Sequence, residues 1–344
     1  MAASSSRSHS TEDRMTSFKQ RLSDPRPILY DGGFGSQLFA RGIELVNSTI
    51  ANDTHPEAVE DIHVDYLTAG AEAIGTNTFV ASALHLEMAD REGQAADAIA
   101  RLAAENARRA VERSGREAYV GGSMGPSPGA IEADSGDTVF GIPNDKVRDA
   151  HARLSAALAE GGVDFFMIET QFSANEAAIA IDEARHHGLP IAVSMTYKCT
   201  VDRTSGEVVY RTDWGHSPVD LVEVLASGDH SGSVDLLPFV DVIGLNCGAE
   251  TRRDEHTGMP YAIEGTRQIL KAVEGKDTPI RVMAYPNAGM PTLNKEMETT
   301  YSQSPADMAG ALPALLEEGA TIVGGCCGTE PAHIAAFREV LDQP

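Results

Sequence analysis

Ala320-Thr-Ile-Val-Gly-Gly-Cys-Cys-Gly-Thr329 decides the fold: a short β-branched apolar run ends in glycine, and a helix-forming stretch, Pro331–Leu341, follows. The same order recurs upstream. Seven more runs of this kind are Pro27–Gly33, Ala71–Phe79, Ala118–Met124, Val163–Thr170, Pro190–Tyr197, Val240–Cys247 and Pro279–Tyr285. They start roughly 30–50 residues apart, as βα units with loop insertions do. The runs are nearly continuous in apolar residues, which suits parallel strands covered on both faces.

Helical patterns fill the gaps. Pro56–Ala69 stops before Gly70, Gln94–Ser114 stops at Gly115, and Asp145–Glu160 stops at Gly161; Ser304–Glu318 and the C-terminal stretch complete the set. Eight alternating units predict an α/β fold of the (β/α)8 TIM-barrel type. A doubly wound sheet would carry a G-x-G-x-x-G loop after its first strand, and Asp31-Gly-Gly-Phe-Gly35 lacks that spacing. The predicted organisation is a disordered tail over residues 1–22, rich in Ser, Arg and Thr, followed by one barrel domain over 23–344. Two insertions, Ser127–Pro143 and Lys198–Pro218, follow the third and fifth strands and are expected on the C-terminal face, where barrels bind substrates.

The 344 residues include 51 acidic and 27 basic side chains, a formal net charge of −24. Such a surface repels phosphate backbones and anionic lipid, so neither nucleic acid nor membrane is an expected partner. Acid recurs on most predicted helices rather than in one run, which predicts solvated acidic faces and stability that rises with moderate salt. The first residues have no apolar signal-peptide core, and no apolar run reaches spanning length. The four cysteines form no spaced framework, so the expected location is the reducing cytoplasm, where clustered cysteines bind metal more often than they pair. Neither length nor charge decides between a monomer and a homo-oligomer.

Cys326 and Cys327 are adjacent. Neighbours on a regular strand point to opposite faces, so two thiolates reach one metal only where the backbone leaves strand geometry, and Gly324, Gly325 and Gly328 permit that. A lone Cys-Cys pair would read more readily as small buried core residues. Cys247, closing the sixth strand in Gly244-Leu-Asn-Cys-Gly248, brings a third thiol to the same rim. Three sulfur ligands with an open fourth position describe a catalytic zinc site. Cys199 is the leftover thiol, and Trp214 lies in the second insertion, where it serves loop packing or faces a cation. Asp31 and Glu169 end the first and fourth strands; each could hold an ammonium group, bind metal, act as acid or base, or cap the following helix. The amides of Gly32, Gly33 and Phe34 could receive a carboxylate beside them. Together these groups would bind an α-amino acid.

Asp31-Gly-Gly-Phe-Gly35, Gly75-Thr-Asn-Thr-Phe79, Gly244-Leu-Asn-Cys-Gly248 and Gly324-Gly-Cys-Cys-Gly-Thr329 resemble the homocysteine S-methyltransferase family. The resemblance runs from about Pro27 to Leu341. It implies a (β/α)8 barrel with Zn2+ on Cys247, Cys326 and Cys327, the homocysteine amine on Asp31 and Glu169, and its carboxylate on the backbone of Gly32, Gly33 and Phe34. It implies methionine as the product. Betaine-using members carry tyrosines where this chain has Val80 and Thr170, and a cation cage needs aromatic faces. Tyr285-Pro-Asn-Ala-Gly-Met-Pro291 looks more like the homocysteine module of cobalamin-dependent methionine synthase. The methyl donor implied is then S-methylmethionine, another onium compound, or a separate corrinoid protein.

Overall fold

The computed structural model of the protein describes residues 16–343 except 92, 94, 249–252 and 296–298. Eight parallel strands form the barrel wall: β1 Ile28–Leu29, β2 Ala73–Gly75, β3 Tyr119–Met124, β4 Phe165–Gln171, β5 Ile191–Met195, β6 Val242–Cys247, β7 Arg281–Pro286 and β8 Ile322–Val323. Their order is β1-β8-β7-β6-β5-β4-β3-β2. A parallel bridge between Tyr30 and Ala73, with Glu72 N–H donating to Leu29 O at 2.7 Å, joins the two ends of the sheet. Each predicted strand is present. Several are shorter than their apolar runs, because the rim residues leave the ladder to build the site: Asp31–Gly33 turn into a helix, and Thr76–Thr78 form a turn held by the hydroxyl pair Thr76 and Thr78 at 2.6 Å.

Alternation along the strands separates two cores. Leu29, Ile74, Val120, Phe166, Val193 and Ile243 face outward onto the helices. Ile28, Tyr119, Phe165, Met167, Val242 and Met283 fill the barrel interior. The outer layer includes α1 Phe18–Arg21, α2 Phe34–Ala40, α3 Pro56–Thr68, α4 Ala95–Ser114, α5 Asn144–Glu160, α6 Ala174–Ala184, α7 Pro218–Ser227, α8 Met259–Val273, α9 Pro305–Glu317 and α10 Pro331–Leu341. Helix α4 presents Ala100, Ala103, Ala104, Ala107 and Ala110 to its neighbours, and these small side chains let the helices approach closely. Gln94, the expected start of this helix, lies outside the described residues.

The segment expected to be a disordered tail over 1–22 contains an ordered part. Ser17 caps α1 with a capping box, Phe18 stacks on Phe165 at 4.0 Å between ring centroids, and Leu22 joins the same interior cluster. The physical reason is that the barrel floor is an apolar opening, and these two side chains close it. Residues 1–15 lie outside the described residues.

The two insertions lie on the rim. Residues 127–143 include a short helix, Glu132–Ser135, pinned by a bridge between Ile131 and Ile142. Residues 198–218 include an antiparallel hairpin, Lys198–Val201 with Val208–Arg211. A second hairpin, Pro291–Leu293 with Thr299–Tyr301, follows β7. No described helix is long and apolar enough to cross a membrane.

Candidate metal and substrate site

The site begins where β6 ends. Cys247 has a φ of 55°, the left-handed region that non-glycine residues occupy at a cost of order 1–3 kcal/mol. Thr170, at the end of β4 beside a break in strand register, has a φ of 56°. Asn246, the residue before Cys247, ties the two ends together: its Oδ1 accepts from Thr170 N at 3.1 Å, and its Nδ2 donates to Thr170 Oγ1 at 2.6 Å. These two left-handed residues turn their side chains toward the barrel mouth.

Cys326 and Cys327 lie past the end of β8, outside strand geometry. Cys326 N–H donates to Pro286 O at 2.9 Å, while Cys326 O accepts from Thr329 N at 3.1 Å and Thr329 Oγ1 at 2.7 Å. The turn passes so close to β1 that a Cβ on Gly33 would sit 2.6 Å from Cys326 O, so glycine is required there.

The three sulfurs converge as the sequence predicts. Cys247 Sγ and Cys326 Sγ are 3.0 Å apart, and all three Sγ atoms lie within 4.8 Å of one another. All are free thiols. Metal–sulfur bonds of about 2.3 Å in a tetrahedron place sulfurs about 3.8 Å apart, so a small opening of the cluster fits a metal ion. Hydrogen bonds with Cys247 and then Cys327 push the Cys326 thiol well up, whereas those from Cys247 and Cys326 hold Cys327 well below the ordinary thiol value. One negative charge is thus accommodated and a second is resisted, and a cation is what permits full ionisation. Cys199 lies apart from this cluster, on the hairpin opposite Tyr210, and Trp214 is 41% exposed on the rim.

Across a cavity of about 230 Å³ from the sulfurs lie Asp31 and Glu169. Neither caps a helix. Asp31 Oδ2 accepts from Gly75 N at 2.8 Å, and α6 is capped by Ser173. Glu169 receives Ser123 Oγ on one oxygen and Tyr285 OH on the other, the latter at 3.1 Å. Burial pushes both carboxyls up; for Asp31 the nearby charge of Glu169 adds to it. Buried Asp31 and half-buried Glu169, which pair with no basic side chain among the described residues, form an electrostatic well for a cation. The Gly32–Phe34 backbone lines the same cavity, but the Gly33 N–H already donates to Thr329 Oγ1 at 3.0 Å. The Phe34 ring packs on His63 at 4.9 Å, so Phe34 offers the cavity its backbone as the polar contact.

Sequence reasoning passed over Ser123, Ser194, Asn246 and Asn287. Each of the first three is a polar residue inside an apolar strand run, which was a usable signal. Asn287 lies just beyond β7; its Oδ1 is buried without a hydrogen-bond partner, and its N–H donates to Cys247 O at 3.2 Å.

A closed parallel barrel thus carries three converging thiols at its C-terminal rim, a group able to hold a metal ion, beside a cavity that Asp31 and Glu169 also line. The homocysteine S-methyltransferase family profile matches residues 28–341, and the chain belongs to that family. It is 33% identical over 337 residues to methionine synthase of Mycobacterium tuberculosis, a match covering 92% of this chain and 24% of that protein. The chain therefore spans about a quarter of the length of the mycobacterial methionine synthases it matches. It is 27% identical over 334 residues to homocysteine S-methyltransferase 4 of Zea mays, covering 90% of this chain and 88% of that one. The metallated homocysteine methyltransferase MmuM of Escherichia coli has the same fold, with a TM-score of 0.68 at 21% identity over 93% of this chain and 98% of that chain.

Proposed function

We propose that the chain transfers a methyl group to the sulfur of homocysteine, giving methionine, with zinc on Cys247, Cys326 and Cys327. The observation that carries this reading is that the three-thiol cluster and two carboxylates, buried Asp31 and half-buried Glu169, line one cavity. Zinc bound there supplies a positive charge that lowers the substrate thiol's pKa and leaves one coordination position for its sulfur.

The chain's own residues do the rest. Asp31 and Glu169 take the substrate ammonium, and that charge offsets the burial that otherwise raises both carboxyls. The amides of Gly32 and Phe34, which line the cavity, receive the substrate carboxylate, with Gly33 joining only if Thr329 releases it. Ser123 and Tyr285 fix the Glu169 carboxylate. In the transfer, the homocysteine sulfur forms the new S–CH3 bond, the donor leaves with the electron pair of its broken methyl bond, and the thiol proton goes to solvent. Neither carboxylate moves a proton.

Phe79, 37% exposed at the mouth, is followed by Val80, and Thr170 lines the cavity where an aromatic cage would need a ring. This favours S-methylmethionine or a methylcorrinoid protein over betaine as donor. The methionine synthases that the chain matches over a quarter of their length support the corrinoid alternative. Free thiols and a soluble barrel suit a cytoplasmic location. The test is a panel in which zinc-loaded protein and homocysteine meet betaine, S-methylmethionine, S-adenosylmethionine, dimethylsulfoniopropionate and a methylcorrinoid protein in turn. Methionine should form with S-methylmethionine or the corrinoid protein and be lost in Cys326→Ala together with zinc. Full activity in a zinc-free Cys326→Ala protein would refute the reading, and fast turnover with betaine alone would refute the donor assignment.

A further inference from the structure

Asn246 is fully buried, and its side-chain amide meets five groups. Its Oδ1 accepts from Thr170 N–H at 3.1 Å and from Ser194 Oγ at 2.8 Å. Its Nδ2 donates to Thr170 Oγ1 at 2.6 Å and faces Cys247 Sγ at 3.6 Å and Cys326 Sγ at 3.8 Å. One N–H is thus used by threonine and the other is directed at two of the three sulfurs. Ser194 Oγ also lies 2.6 Å from Tyr285 OH, which reaches Glu169 Oε2 at 3.1 Å. A continuous hydrogen-bonded path runs from the carboxylate at one end of the cavity to the sulfurs at the other.

We infer that Asn246 is a positioning residue that sets the metal's thiolate shell and fixes its distance from the amine clamp. Two effects act together. The amide, one residue before Cys247, holds the left-handed turn at Thr170 and so ties the end of β4 to the end of β6, where Cys247 turns. The remaining N–H stabilises negative charge on Cys247 and Cys326, as hydrogen bonds to a metal's ligands do. Aspartate at this position has the same shape and keeps the acceptor for Thr170 N–H and Ser194, but it turns an oxygen toward the thiolates. Ser194 plays a separate part: it joins Asn246 to Tyr285 without touching sulfur.

The inference rests on the zinc reading above, and its deciding readout is metal binding. Zinc affinity is measured by competition with a chromophoric chelator for the wild-type chain, Asn246→Asp and Ser194→Ala. Cobalt-loaded forms are compared by their sulfur-to-metal charge-transfer band. Losing a hydrogen-bond partner of a metal ligand costs about 10–100-fold in affinity, so Asn246→Asp should bind zinc about that much more weakly and shift the band. Ser194→Ala should keep the wild-type zinc affinity within about twofold, while its homocysteine KM rises more than its kcat changes. Because Asn246→Asp could fail to fold, the wild-type chain is also followed by side-chain amide NMR: one of the two Asn246 Nδ2 protons should shift on zinc loading. Wild-type zinc affinity in a folded Asn246→Asp protein, or Asn246 amide protons that do not respond to zinc, would overturn the inference. A wild-type chain that binds no zinc would instead overturn the proposed function, and only the wild-type arm reads that.

Discussion

Replacing Glu169 with glutamine removes a buried charge and leaves the shape. The carboxylate has about four lone-pair sites. Ser123 and Tyr285 occupy one on each oxygen, and the others face the cavity. A hydrogen bond to a charged partner is worth about 1.5–3 kcal/mol, and each 1.4 kcal/mol is tenfold in binding. Glu169→Gln should therefore weaken homocysteine binding by about 10- to 150-fold, with Asp31 still holding the ammonium. Calorimetric titration of zinc-loaded protein with homocysteine and with 4-mercaptobutyrate, which lacks the amine, isolates this term: only the first should weaken. The same change should stabilise the free protein. Burial raises the Glu169 carboxyl, so the folded state binds more protons than the unfolded chain between the ordinary carboxyl value and the raised one. Stability falls as pH rises through that window, and the cost persists above it. Glutamine has no such cost, so its melting temperature should exceed wild type by about 1–3 °C near neutral pH, and the gap should close in acid below the ordinary carboxyl range. Equal weakening for both ligands, or none, would refute the ammonium clamp.

Phe18→Ala should cost about 3–5 kcal/mol in chemical denaturation, because the ring is 3% exposed and stacks inside the barrel floor; a loss under about 1 kcal/mol would mean the floor segment is dispensable. Gly325→Ala puts a Cβ 2.4 Å from Thr329 Cγ2 and Oγ1, and that hydroxyl is committed to Cys326 O and Gly33 N–H. It should cost about 1–3 kcal/mol and reduce retained metal by elemental analysis, whereas unchanged metal content would show that the turn yields freely. With a net charge of −24, melting temperature should climb from low to about half-molar potassium chloride, and a flat or falling curve would give the acidic surface another role, such as drawing a cationic donor to the mouth.

Repetition made the barrel legible. Val163–Thr170 or Val240–Cys247 alone is an apolar run with no fixed partner, but eight such runs alternating with helical stretches allow one closed parallel sheet. The thiols were legible for the same reason, since strand ends six and eight share a rim. Other features depend on contacts that no local pattern encodes. Phe18 reads as a lone aromatic in a polar segment, and only the apolar opening under β3 and β4 gives it a place. The left-handed turns at Thr170 and Cys247 run against the preferences of both residues, and Thr170 is held in its turn by Asn246, which reaches it from another strand. Helices α6 and α8 match no stretch singled out from the sequence, although Ser173 is a cap signal for α6 and Pro260 a start signal for α8. The Gly33 amide was expected to be free, and its Thr329 partner lies at the other end of the chain.

That last pairing belongs to a wider circumstance. Ile28 lies beside Ile322, so the first strand meets the last, and Cys326 and Cys327 follow directly after it. During synthesis, the sheet keeps an open edge and the thiol cluster lacks two of its three members until the eighth strand and the turn after it have left the ribosome. Loop closure over such a span is slow and exposes strand edges meanwhile. Gathering of the three thiols is therefore a late event in the formation of this barrel, and a chain cut short before β8 loses its seam and its thiol cluster together.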